Sequence, residues 1–257
     1  MNDSLFAQAR DSFVESNSPE DFVELESNIV HLETLEELRQ KPFKLVLLYG
    51  PPGVGKTMLL KRFVAKHQEI LLYERPFASA DELHYRLNAD IFDEEADIFE
   101  NLETLHPSRT KLVILDESQI YEEEMFEAIR ILADTKKIKF ILAMHNTKEE
   151  YLVAQEHFKT RIYKTIAMNV PKLPEFHIYL QKKLLRNNLL ESAKAVDTKV
   201  AKYLYKHTGG NFRKSDIFMY TLFDILDYFY RKRGLDPYKI ESKYLEMTAI
   251  YLGYIDA

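Results

Sequence analysis

The chain has 257 residues, 46% of them hydrophobic and 30% charged, which is globular composition and excludes wholesale disorder. It holds no cysteine, so disulfides and thiolate metal sites are excluded. The net charge of −6 argues against a protein that coats DNA with its whole surface.

The charge is uneven along the chain. Residues 1–40 and 81–124 are strongly acidic, whereas Lys172–Arg233 carries thirteen Lys and Arg against six Asp and Glu. Such a tract is either a set of solvated helix faces or a surface for an anionic partner, DNA included. Met1–Arg10 lacks the basic-then-apolar pattern of a signal peptide. No apolar stretch approaches the roughly 18 residues that span a bilayer. A cytoplasmic protein without a transmembrane segment is expected, peripheral at the inner membrane only through a partner.

Residues 1–40 read as a partly helical lead-in. Short apolar runs then alternate with amphipathic helical stretches, the pattern of a parallel α/β sheet. The runs are Phe43–Tyr49, Ile70–Tyr73, Leu112–Leu115, Phe140–Met144 and Ile162–Val170. Helices are predicted over Lys56–Lys66, Ala80–Leu87 and Glu122–Ala133, the last with Met125, Phe126, Ile129 and Leu132 at helical spacing. From Leu173 onward only helical periodicity remains: Pro174–Asn187, Asp197–His207, Phe212–Arg233 and Glu241–Leu252. Pro171 and Pro174 disfavour helix at the residues before them and mark a linker. The expected plan is a lead-in (1–40), a P-loop α/β core (41–171) and a helical lid (172–257).

Gly50-Pro51-Pro52-Gly53-Val54-Gly55-Lys56-Thr57 matches the phosphate-binding P-loop in full, directly after a strand and before a helix. Glycines let successive backbone N–H groups turn inward around phosphates, and the helix N-terminus adds its positive dipole end. Pro51, Pro52, Gly53, Val54, Gly55, Lys56, Thr57 and Met58 are therefore expected to bind ATP. Lys56 reaches the β and γ phosphates, and the Thr57 hydroxyl ligates Mg²⁺.

Lys111–Leu115 ends in Asp116-Glu117. Given the P-loop, Asp116 is the second Mg²⁺ residue and Glu117 polarises the water that attacks the γ-phosphate. Phe140–Met144 ends in His145-Asn146; if that strand lies between the other two, its tip faces the γ-phosphate, and Asn146 is the preferred contact. Arg161, just before the last strand, is placed to serve a neighbouring subunit's nucleotide. Gly209-Gly210-Asn211 ends one helix and caps the next. Arg213 then falls in a first turn, where a cation opposes the dipole unless an anion compensates it; nucleotide phosphate is the expected anion.

Taken together these features resemble an AAA+ ATPase over about residues 20–250: Walker A, Walker B, sensor 1, arginine finger and sensor 2 each have a match. Leu115-Asp116-Glu117-Ser118-Gln119 and Gly210-Asn211-Phe212-Arg213 are similar to the ExeA-type ATPases of general secretion and type IV pilus systems. The tip His145-Asn146 departs from that group's usual Gly-Gln. The resemblance implies a five-stranded parallel P-loop sheet sandwiched by helices with a C-terminal helical lid. It implies ATP and Mg²⁺ as ligands, a homo-oligomer, and a role in assembling a secretion, pilus or DNA-uptake apparatus. The same core serves transposition target selection and helicase loading, and a slow signalling switch is the third alternative.

Overall fold

The computed structural model describes residues 4–93, 97–106, 109–146, 152, 156–234 and 239–256. The chain divides into two compact units. One comprises residues 30–51 and 56–169; the other comprises residues 1–29, 52–55 and 170–257. The lead-in expected over residues 1–40 is thus shared between them instead of standing apart.

The first unit is built on five strands: β1 (Leu45–Tyr49), β2 (Leu71–Tyr73), β3 (Lys111–Leu115), β4 (Ile138–Met144) and β5 (Ile162–Ala167). They pair in parallel in the order β2-β3-β4-β1-β5. The central strands are near-continuous apolar runs because a parallel sheet is covered on both faces, and every residue of β4 is buried. The flanking helices are α2 (Glu26–Arg39), α3 (Lys56–Val64), α4 (Ala80–Phe92), α5 (Ile98–Thr104), α6 (Glu123–Asp134) and the short α7 (Glu156–Lys159). Met125, Phe126, Ile129 and Leu132 of α6 are buried against sheet residues including Leu45, Val113, Phe140 and Leu142. Helix α5 has no counterpart among the sequence expectations. It is seven residues long, and only Ile98 and Leu102 are buried, too few apolar positions to set a period.

The register fixes which ends matter. Leu45 pairs with Phe140 and Ile162, Tyr49 with Met144 and Ala167, and Leu115 with Leu142. All carboxyl ends therefore lie on one edge, where ligands bind in open α/β sheets. Strand β4 does lie between β1 and β3, the condition on which the reading of its tip depended.

The second unit is helical: α1 (Leu5–Asp11), α8 (Leu173–Arg186), α9 (Leu190–Ala195), α10 (Thr198–Thr208), α11 (Phe212–Arg233) and α12 (Ser242–Tyr251). Phe176, Leu180, Leu184, Leu204, Phe218 and Leu222 form its core, and Phe6, Ala9 and Phe13 join them. The Phe13 ring stacks on Phe223 at 5.9 Å, which is why the amino-terminal residues belong here. Gly209 closes α10 in the left-handed region (φ 64°), and the Asn211 side chain accepts from the Lys214 N–H to cap α11, as the sequence predicted. Among the described residues no helix is long and apolar enough to cross a membrane.

Candidate nucleotide-binding site

The loop between β1 and α3 needs its glycines for separate reasons. Gly53 and Gly55 take φ values of 76° and 93°, conformations that residues with a Cβ rarely adopt. A Cβ on Gly50 would lie 2.2 Å from the Met168 carbonyl oxygen, where the chain leaves β5. Lys56 opens α3 and is buried; its Nζ donates to the carbonyls of Gly50 (2.8 Å) and Pro51 (3.1 Å). The ammonium is thereby held inside the loop's own curve.

Residues 52–55 group with the helical unit. There the Asn211 Nδ2 donates to the Pro52 carbonyl (2.7 Å) and the Phe212 N–H donates to the Gly53 carbonyl (3.0 Å). Val54 is buried. Phe212 tilts against Tyr179 with ring centroids 4.2 Å apart. The sequence offered Asn211 as a helix cap; its hold on the loop is a second task that residue type alone does not show.

Next to Lys56, the Thr57 hydroxyl donates to Asp116 Oδ2 at 2.6 Å. Asp116 is buried at the end of β3, its backbone N–H donates to the Tyr73 carbonyl (2.9 Å), and its Oδ1 accepts from the Glu117 N–H (2.9 Å). Burial pushes the Asp116 carboxyl up from its ordinary value, opposed by the bonds from Thr57 and Glu117 and by the nearby Lys56 charge. A hydroxyl and a carboxylate in hydrogen-bond contact are both hard oxygen donors, the set Mg²⁺ prefers when nucleotide phosphates supply the rest. The residues present fit that ion.

Glu117 follows in the left-handed region, φ 53°, uncommon for a residue with a side chain. Its Oε2 accepts from Gln119 Nε2, while Ser118 Oγ is buried and donates to the Leu115 carbonyl (2.8 Å). The turn after β3 is thus pinned from both sides of Glu117. Among the described residues, Gln119 Oε1 is buried with no partner. At the tip of β4, the Gly50 N–H donates to the Met144 carbonyl (3.3 Å), so His145 and Asn146 emerge beside the start of the loop. His145 is half-buried and Asn146 exposed.

A model of the AAA domain family matches residues 39–152, the span that carries the loop, the β3 carboxylates and the β4 tip. Residues 39–152 are thus similar to an AAA domain with its P-loop. Solved structures agree on the fold. The Holliday junction branch migration motor RuvB of Thermotoga maritima superposes with a TM-score of 0.60 at 17% identity, covering 93% of this chain and 73% of that one. The Aeropyrum pernix ORC2 protein gives 0.62 at 15% identity, covering 94% and 71%. A Walker-type ATPase of Pyrococcus abyssi gives 0.57 at 17% identity, covering 94% and 77%. No curated protein matches the sequence.

The two arginines expected at the site are each engaged within their own unit. Arg161 sits at the amino end of β5, the opposite edge of the sheet from the loop, because Leu45 and Ile162 are paired. Its Nε donates to both Asp134 oxygens (3.0 Å each) and its Nη2 to Oδ2 (2.8 Å). Arg213 is in the first turn of α11, 68% exposed, with Glu15 at 3.5 Å. The anion beside it is a carboxylate of its own helical unit, an exposed pair of small energetic weight.

Proposed function

We propose that this protein hydrolyses ATP at the loop with Lys56, Thr57, Asp116 and Glu117 in divided roles, and that it acts on DNA or DNA-bound assemblies. The half-buried contact of Thr57 with Asp116 beside Lys56 is the observation that carries the first part. Lys56 exchanges its bonds to the Gly50 and Pro51 carbonyls for phosphate oxygens. Thr57 and Asp116 would hold Mg²⁺, which when bound neutralises phosphate charge. Glu117, fixed by its backbone and by Gln119, accepts the proton of the attacking water. The water oxygen bonds to the γ-phosphorus as the bond to the β–γ bridging oxygen breaks, and ADP leaves. Asn146 orients the γ-phosphate from the β4 tip. Arg161, at the far edge of the sheet, serves the nucleotide of a neighbouring subunit in a homo-oligomer, and Arg213 responds to nucleotide state.

The DNA-associated reading is favoured over an envelope machine by the basic Lys172–Arg233 tract and by the likeness in fold to RuvB, a Holliday junction motor. The secretion and pilus reading rests on the likeness of two short segments, Leu115-Asp116-Glu117-Ser118-Gln119 and Gly210-Asn211-Phe212-Arg213. The catalytic assignment is tested by comparing Lys56→Ala with Glu117→Gln. Lys56→Ala should bind ATP at least about tenfold more weakly, the loss of one charge-assisted bond. Glu117→Gln should keep parental affinity and lose about 10²- to 10⁴-fold in turnover, the usual contribution of a general base. Identical behaviour of the two in a binding titration would refute the division of labour.

A further inference from the structure

The helical unit contains a cavity of about 560 Å³ that the nucleotide site does not use. Four lysines line it: Lys194, Lys199, Lys239 and Lys243. Two carboxylates, Asp197 and Glu241, are also on its wall, so its charge is positive although the whole chain is negative.

The lysines differ in how far they are already engaged. Lys194 pairs with Glu191 (2.7 Å) and Lys243 with Glu241 (3.0 Å), exposed pairs that hold their members weakly. Among the described residues, Lys199 and Lys239 make no ion pair.

The backbone adds to this. The amino ends of α10 and α12 both open on the cavity, because their caps are the two wall carboxylates, Asp197 and Glu241. Asp197 caps in the ordinary way, accepting from the N–H groups of Lys199 and Val200. Glu241 makes no side-chain cap bond, its carboxylate being turned to Lys243. The Tyr244 N–H donates to the Glu241 carbonyl (3.0 Å), so among the described residues the Ser242 and Lys243 N–H groups of the first turn are the ones left for an anion.

The cationic surface continues beyond the cavity. Lys243 lies over the Tyr244 ring (4.9 Å), Tyr244 packs against Phe229 (5.4 Å), and Arg233 lies over Phe229 (5.4 Å). Cations spread along this surface, over rings that belong to the core, suit a polymer with evenly spaced phosphates better than a single small anion.

We propose that this lysine-lined cavity and the adjoining end of α11 bind the phosphate backbone of DNA. The proposal rests on the DNA-associated reading above and names the surface that would carry it. Contacts of this kind position a nucleic acid without reading its sequence, and the acidic stretches elsewhere in the chain would repel it, so binding is confined to one face.

The experiment is fluorescence anisotropy of a labelled 30-base-pair duplex with the full chain, the Lys199→Glu/Lys243→Glu variant, and a Lys41→Glu/Lys66→Glu control in the α/β unit. The parent and the control should bind alike. The cavity variant should bind at least tenfold more weakly at 0.1 M salt. Its plot of log affinity against log salt should be shallower by about 2, roughly one for each phosphate that the variant no longer neutralises. Circular dichroism and ATP turnover without DNA should be unchanged in the variant. Duplex binding by the parent that the cavity variant retains in full would overturn the site while leaving the DNA reading standing. Absence of binding by the parent would overturn both.

Discussion

Glu117 shows how one residue's backbone discloses its task. A side chain held at φ 53° costs of order 1 kcal/mol relative to the right-handed region, and such strain persists only where the surroundings over-determine it. Here the surroundings are the Asp116 acceptor, the buried Ser118 hydroxyl and Gln119. Glycine would adopt this conformation freely. Glu117→Gly should therefore be as stable as the parent, or about 1 kcal/mol more stable, in chemical denaturation, while ATP turnover falls at least 10²-fold. Loss of stability on that substitution would mean that the glutamate side chain is structural. The types and spacing of Gly50 to Thr57, Asp116 and Glu117 were legible in the sequence because phosphate chemistry admits few alternatives. The double duty of Asn211 was not, because a helix cap and a hydrogen bond to the loop call for the same residue type.

At the scale of elements, the far edge of the sheet is tied by one carboxylate. Asp134, at the end of α6, accepts from Lys44 (2.6 Å) before β1, from Arg130 (2.8 Å) within α6 and from Arg161 before β5. The Arg161 guanidinium is the largest cause, and Lys44 a further one, of a carboxyl held down to about 2 from its ordinary 3.8. A carboxyl whose value is depressed on folding stabilises above its unfolded value, and the contribution is lost as pH falls through the folded one. Asp134→Asn should thus lower the urea midpoint at pH 7, and the gap from the parent should shrink as pH drops below about 4. A gap that stays constant down to about pH 3 would show that Asp134 acts through packing and not charge. The same geometry bears on Arg161. Serving a neighbour requires it to leave Asp134, so mixing Arg161→Ala with Glu117→Gln protein should restore part of the ATP turnover if the role in trans is real. No restoration in a demonstrated mixed oligomer would confine Arg161 to this ion pair. Strand positions were readable from sequence to within a few residues, since buried parallel strands are uninterrupted apolar runs. Helices α5 and α9 were not: at seven and six residues they are shorter than two full periods.

For the molecule as a whole, the division into an α/β unit and a helical unit followed from the point where strand-like runs stop, near Leu173. The allegiance of the first residues did not. Phe6, Ala9 and Phe13 carry helical spacing, but spacing says that a face is buried and not which partner buries it; here it is the core that also contains Phe223 and Leu226. Electrostatics separates the units as well, with the basic tract in the helical one. What matters most for function is whether Thr57 and Asp116 form a magnesium-dependent ATP hydrolysis site. Phosphate release from ATP with and without Mg²⁺, for the parent and for Asp116→Asn, tests this most directly. Turnover by the parent should require Mg²⁺ and be restored by adding it back after chelation, and Asp116→Asn should lose at least tenfold even at saturating Mg²⁺. Equal turnover by parent and variant, or turnover indifferent to Mg²⁺, would contradict the assignment.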